Sequence, residues 1–301
     1  MSTRSLGSLV LAAVTLVTLA GCGGTPVAPT GQTASVRQAA GPQARQVAVE
    51  APMVFIGGGK DQDSVMTRIM TLAGGQDAPM VIVPLASGTP DQSGKAYVDY
   101  MRELGFPNAT YIVPGANPAS ATEDLARLAA AKAVFFTGGD QSKILAAFGP
   151  AWQQALAKAR KQGAVVAGTS AGAMVWGQTV ILGGDPLQTT IYGDDPAHSG
   201  VRLGSGMGLA QGLVVDTHFA ERGRLPRLAF AVSKAAGAVG LGVDPATAAV
   251  VYPDGRLEVA GRGTVTVVKV PAQPVKSPMT LRDMRVHLLS AGDALALNDA
   301  R

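Results

Sequence analysis

Residues 164–174 read AVVAGTSAGAM. An apolar run stops at Gly168, and a single serine, Ser170, stands between two pairs of small residues before the next run begins. The pattern is G-x-S-x-G at the point where a strand hands over to a helix. A sharp turn there lifts a serine hydroxyl above the strand ends, and small neighbours keep the turn free of clashes. The N–H of Ala171, next in the chain, points into the same space and can stabilise a tetrahedral oxyanion. A serine that merely caps the following helix is the other reading; it accounts for Ser170 but not for both glycines.

Working outward, residues from 52 onward alternate short apolar runs with helix-length segments, the signature of an α/β domain with a mostly parallel sheet. MVFIGGG (53–59), MVIVPLAS (80–87), TYIVP (110–114), AVFFTGG (133–139) and AVVAGTS (164–170) read as strands apolar enough to be covered on both faces. Helices are predicted over 91–104 and 141–161. After Trp176 a Gly- and Asp-rich stretch is long for a bare loop, which points to function or to a small hairpin. LVVDTHF (213–219) and GLGV (240–243) are predicted strands flanking a helix at 225–236, and the remainder alternates as antiparallel hairpins on the sheet edge.

The first 21 residues are a targeting segment: Arg4, then an apolar stretch of about fifteen residues, too short for a comfortable span of about twenty. It ends in Leu19-Ala20-Gly21-Cys22, which is similar to the bacterial lipobox, so Cys22 is the expected lipidation site and the protein's attachment to a membrane. Cys22 is the only cysteine, so the mature domain has no disulfide. Residues 22–51 read as a flexible tether, and 52–301 as the folded domain. The net charge of +4 comes from basic residues scattered along the chain, which argues against nucleic acid as a partner.

A nucleophilic serine needs a base, and the chain has three histidines, His198, His218 and His287. His218 ends the strand LVVDTHF and is predicted at the same carboxyl edge of the parallel sheet as Ser170, where such folds place their sites. Arg222, Arg224 and Arg227 follow at once and could hold carboxylates. TGGDQ (137–141) also ends a strand and opens a helix, with N–H groups that could face an anion and with Asp140 and Gln141 able to cap the helix or to touch substrate; a tight turn with Asp140 as N-cap accounts for the same residues. GGGK (57–60) is no phosphate loop, because Asp61 follows the lysine. No metal or cofactor site is predicted.

FFTGGDQ, GTSAGAM and DTHFAERGRLPRL, in this order, resemble the cyanophycinase branch of the serine peptidase family S51, which includes aspartyl dipeptidase; the likeness runs from Val54 to Leu297. It implies a flavodoxin-like, class I glutamine amidotransferase-like sheet, often in a homodimer, and an exopeptidase that releases β-aspartyl-arginine dipeptides from cyanophycin. It further implies Ser170 as nucleophile, His218 as base, Gly139 and Ala171 as oxyanion donors, and Gln141, Asp216, Thr217, Arg222, Arg224 and Arg227 as substrate-binding residues. Two positions depart from the family: Thr217 stands for a glutamine, and Pro245 for the glutamate expected to orient the histidine. Asp244 is then the expected third member, with Asp185, Asp194, Asp195 or a bare dyad as alternatives. A dipeptidase for isoaspartyl or acidic peptides, and an inactive ligand-binding lipoprotein, are the competing functions.

Overall fold

The computed structural model describes residues 46–299 apart from 61, 117, 196, 199 and 236. The targeting segment, Cys22 and most of the tether lie outside the described residues. Residues 46–51, assigned above to the tether, pack on the domain: Val47, Val49 and Ala51 are buried, and Ala48 bridges to Gln211. The alternation of apolar residues in this stretch is a strand-like period that marks an inward face.

Five parallel strands form the heart of the first sheet: β1 (Met53–Ile56), β2 (Met80–Val83), β3 (Ala109–Tyr111), β4 (Ala133–Phe136) and β5 (Val165–Thr169), in the order β1-β5-β4-β2-β3. Successive side chains enter different cores. Val54, Ile56, Ile82, Phe135 and Ala167 pack on one face with Val65, Met66 and Ile69 of α1 (Asp63–Ala73) and Val98 and Met101 of α2 (Pro90–Glu103). Phe55, Val81, Val83, Phe136 and Val166 pack on the other with Leu128 of α3 (Ala121–Ala130), Ile144 of α4 (Gln141–Ala147) and Leu156 of α5 (Pro150–Lys161). Covering on both faces is what continuously apolar strands require.

The helix predicted over 141–161 is two helices, broken at Phe148-Gly149-Pro150. Pro150 carries no N–H to continue α4 and supplies a preset φ for the first turn of α5. After α6 (Ala171–Met174) the Gly/Asp-rich stretch forms the hairpin β6 (Thr179–Gly183) and β7 (Arg202–Ser205), with α7 (Pro186–Tyr192) inserted between its strands.

The LVVDTHF strand, β8 (Leu213–Thr217), does not join the sheet of Ser170 as expected. It runs parallel to β9 (Val239–Val243) in a second, four-stranded sheet, with α8 (Leu225–Lys234) as the crossover. The C-terminal strands divide between the sheets. β10 (Thr247–Val251), β11 (Arg256–Gly261) and β14 (Ala294–Ala296) extend the first sheet antiparallel beyond β1. β12 (Thr264–Lys269) and β13 (Arg285–Ser290) pair antiparallel beside β9.

Candidate active site

Ser170 sits between β5 and α6 at φ 52°, ψ −119°, a backbone conformation that costs a side-chain-bearing residue roughly 1–3 kcal/mol and persists only where its surroundings enforce it. Here they do. Its N–H donates to the carbonyl of Ile56 at 2.9 Å. The flanking glycines are steric requirements: a Cβ on Gly168 would lie 2.1 Å from the Gly172 carbonyl oxygen, and one on Gly172 would lie 2.3 Å from that of Phe136. Trp176 then fixes the turn from below, its indole N–H donating to the Gly172 carbonyl at 2.7 Å.

His218 arrives from the second sheet at φ 48°, its N–H donating to the Gly57 carbonyl at 2.8 Å. Strand β1 thus holds both partners at neighbouring residues of its C-terminal end, and the two sheets converge there. Nε2 of His218 lies 3.0 Å from Ser170 Oγ. Nδ1 lies 2.5 Å from Oε1 of Glu221. A proton on Nδ1, donated to the carboxylate, leaves Nε2 as the acceptor for the serine hydroxyl. Burial pushes the His218 imidazole below its ordinary value, and Arg222 and Arg224 add to this; the bond to Glu221 opposes them and loses. The ring is therefore neutral near pH 7, as a general base must be.

Glu221, not Asp244, is the carboxylate at His218. It lies on a 3₁₀ turn, Ala220–Arg222, that carries it back against the ring three residues after the histidine. Asp244 is spent one step away: Oδ1 accepts the N–H of Ala220 at 2.9 Å, and Oδ2 accepts the Thr264 hydroxyl at 2.6 Å and its N–H at 3.1 Å. It fixes the turn that presents Glu221. The loop aspartates lie elsewhere: Asp185 caps α7, Asp194 pairs with Lys234, and Asp195 pairs with His198.

Gly58 completes the base. A Cβ there would meet Nε2 of His218 at 2.4 Å, and its φ is +92°, so the bare backbone is what lets the ring lie flat beside Ser170. The signal for it was in IGGG, whose glycines have no phosphate to bind.

The TGGD turn lies against the serine, the Cβ position of Gly138 being 3.3 Å from Ser170 Cβ. Among the described residues neither the Gly139 nor the Ala171 N–H donates to a protein acceptor. Asp140 caps α4, and the Ser142 hydroxyl and N–H hold its carboxyl below the usual carboxylate range. The Gln141 amide is tied to the Ile181 carbonyl at 2.8 Å.

The expected substrate contacts of Asp216, Thr217 and Arg227 do not fit their placement. Asp216 is fully buried and grips Arg227 in a two-pronged fork, Nε to Oδ2 and Nη2 to Oδ1, both at 2.6 Å. Arg227 spends its remaining reach on the Gly184 carbonyl. Thr217 is buried against the Met174 sulfur. Arg224 donates to the Thr217 carbonyl at 2.5 Å and lies 3.4 Å from Asp216; burial lowers its guanidinium to about 10. Arg222 is the arginine of the three that is exposed, with 52% of its side chain accessible and Nε 3.5 Å from Glu221. His198 stacks on Tyr192, and His287 lies in β13 opposite Val267.

A strained serine bonded to a neutral histidine that is bonded to a carboxylate is the machinery of acyl transfer. The profile of peptidase family S51 matches residues 50–259. The chain belongs to peptidase family S51. It is thus a serine-type peptidase hydrolase, with cyanophycinases among its relatives. The S51 chain is 33% identical over 259 residues to the cyanophycinase of Synechococcus elongatus, covering 81% of this chain and 79% of that one. It is 32% identical over 270 residues to the cyanophycinase of Trichormus variabilis, covering 85% and 87%. A solved peptidase from an acI-B1 actinobacterium superposes with a TM-score of 0.54 at 16% identity, over 83% of this chain and 98% of that one, a likeness of fold.

Proposed function

We propose that this S51 peptidase is an exopeptidase of the cyanophycinase kind, shortening a poly-aspartate that bears arginine on its side chains to β-aspartyl-arginine dipeptides. The observation that carries this reading is the continuous relay Ser170–His218–Glu221, with spacings of 3.0 and 2.5 Å, in a chain a third identical to cyanophycinases. Ser170 Oγ attacks the scissile carbonyl carbon while its proton passes to His218 Nε2. The oxyanion gathers on the N–H groups of Gly139 and Ala171. The carbon–nitrogen bond then breaks, His218 returns the proton to the leaving amine, and the shortened polymer stays as an ester on Ser170. Water attacks that ester, giving its proton to His218, and Ser170 is restored. Glu221 holds the imidazole tautomer and stabilises the imidazolium formed in each half-reaction. Arg222, half exposed beside the relay, is placed to meet a substrate carboxylate.

The full chain incubated with cyanophycin releases β-aspartyl-arginine, detected by mass spectrometry, and Ser170→Ala abolishes the release. Release undiminished in that variant refutes the mechanism. Anchoring through a lipid on Cys22 and exposure outside the cytoplasm belong to the same proposal, on the strength of the Leu-Ala-Gly-Cys sequence ending an apolar segment; metabolic labelling with an alkynyl fatty acid, lost in Cys22→Ala, tests it. Assembly as a homodimer rests on the family likeness, and light scattering of the purified chain decides it.

A further inference from the structure

If the substrate carries arginyl units, each presents a guanidinium and a free α-carboxylate. Asp216, the acidic member of the expected substrate-binding set, is sealed beneath Arg227. Another acceptor is needed at the same edge of the sheet. A cleft of about 410 Å³ opens there, between the turn that follows β1 and the side of α2, lined by Lys60, Gln62, Asp63, Tyr97 and Tyr100 among others.

The cleft is tied to the strand end that carries the nucleophile. Gln62 is 7% exposed, and its amide N–H₂ donates to the Gly59 carbonyl at 2.7 Å and to the hydroxyl of Thr169 at 3.4 Å. Thr169 immediately precedes Ser170. The Gln62 Oε1 is buried with no hydrogen-bond partner among the described residues, an acceptor that costs stability unless something donates to it. Two aromatic rings form the walls, Tyr97 and Tyr100, edge to face at 6.4 Å, with Tyr97 backed by Phe135 at 5.1 Å. Asp63 accepts the Tyr100 hydroxyl at 2.5 Å on Oδ1, and a carboxylate has further lone pairs for a second donor. Lys60 stands exposed at the rim.

We propose that this cleft is the subsite for an arginyl unit of the substrate, with the guanidinium on Asp63 against the tyrosine rings and the α-carboxylate on Lys60. A guanidinium is planar, weakly hydrated and rich in donors, and it both forks onto carboxylates and stacks on aromatic faces. One cation, one carboxylate and two rings complement an arginyl zwitterion, and no other group of the polymer offers both charges around an apolar stem. The proposal rests on the reading of the chain as a cyanophycinase-like enzyme, and binding separates the two.

The test uses the full chain carrying Ser170→Ala, which holds ligand without turnover, titrated calorimetrically with β-aspartyl-arginine and with β-aspartyl-citrulline, its uncharged near-isostere. The arginine form binds about tenfold tighter, the size of a partly solvated charge-assisted bond. Adding Asp63→Asn brings the ratio to about one, Asp63→Glu restores most of it, and Lys60→Ala weakens both ligands alike. An arginine preference unchanged by Asp63→Asn overturns the assignment, as does equal binding of the two ligands before that change. A chain that prefers arginine yet releases nothing from cyanophycin would reject the activity and leave the subsite standing.

Discussion

Replacing Glu221 by glutamine keeps the size of the side chain and a neutral acceptor for His218 Nδ1, but removes the charge. Where the acid of such a relay is buried, its loss costs about 10⁴ in turnover. Here 46% of the Glu221 side chain is accessible, so water screens the charge and the loss is nearer that of one charge-assisted hydrogen bond at the low end of its range, about 1.4–2 kcal/mol. That is a fall in kcat of about 10- to 30-fold on the plateau of the pH profile. A second effect runs with it. Glu221 is the group that raises His218 against the larger pull of burial. Without it the imidazole loses its proton at still lower pH, and because the base works only when neutral, the acid limb of kcat/KM moves to lower pH. Steady-state rates of dipeptide release between pH 4.5 and 8.5 read both effects. A merely structural defect lowers the plateau without moving the limb. Unchanged kinetics in Glu221→Gln, with a limb moved by Asp244→Asn, would refute the placement of the acid.

Gly58→Ala drives a methyl to 2.4 Å from Nε2 of His218 and should lower kcat at least 10²-fold, while the left-handed backbone adds roughly 1 kcal/mol of destabilisation; a near-normal rate contradicts the packing of the base. Arg227→Met strands the fully buried Asp216, and loss of one member of a buried pair costs about 3–5 kcal/mol; a denaturant midpoint close to that of the parent protein would instead make Arg227 a substrate ligand. In the unaltered enzyme the acid limb of kcat/KM should fall below about 6.5, the ordinary imidazole value, because burial holds His218 down; a limb above it would show the imidazolium to be favoured in the fold.

The parallel strands and the elbow were legible in the sequence because each is a local matter. Runs such as MVIV and AVFF suit strands buried on both faces, and Gly168 and Gly172 are dictated by carbonyl oxygens four residues or one strand away. The base was legible because few histidines compete. Its acid was not, since Glu221 reaches His218 only through a 3₁₀ turn that Asp244 holds from the C-terminal end of β9. Asp216 was read as facing substrate, yet it alternates with Val215 and so shares a face with Val214, which packs in the core beneath α8. That period of two was in the sequence; what lay on either face of β8 was set by a second sheet that no local pattern announces. The break at Pro150 was visible in its letters, but a continuous helical pattern on both sides concealed it.

The most direct test of the relay is covalent. The full chain treated with diisopropyl fluorophosphate and mapped by peptide mass spectrometry should carry one phosphoryl adduct, on Ser170, formed more slowly in His218→Ala and absent from Ser170→Ala. An adduct on another residue, or an unlabelled Ser170 in a chain that still hydrolyses cyanophycin, would contradict the account.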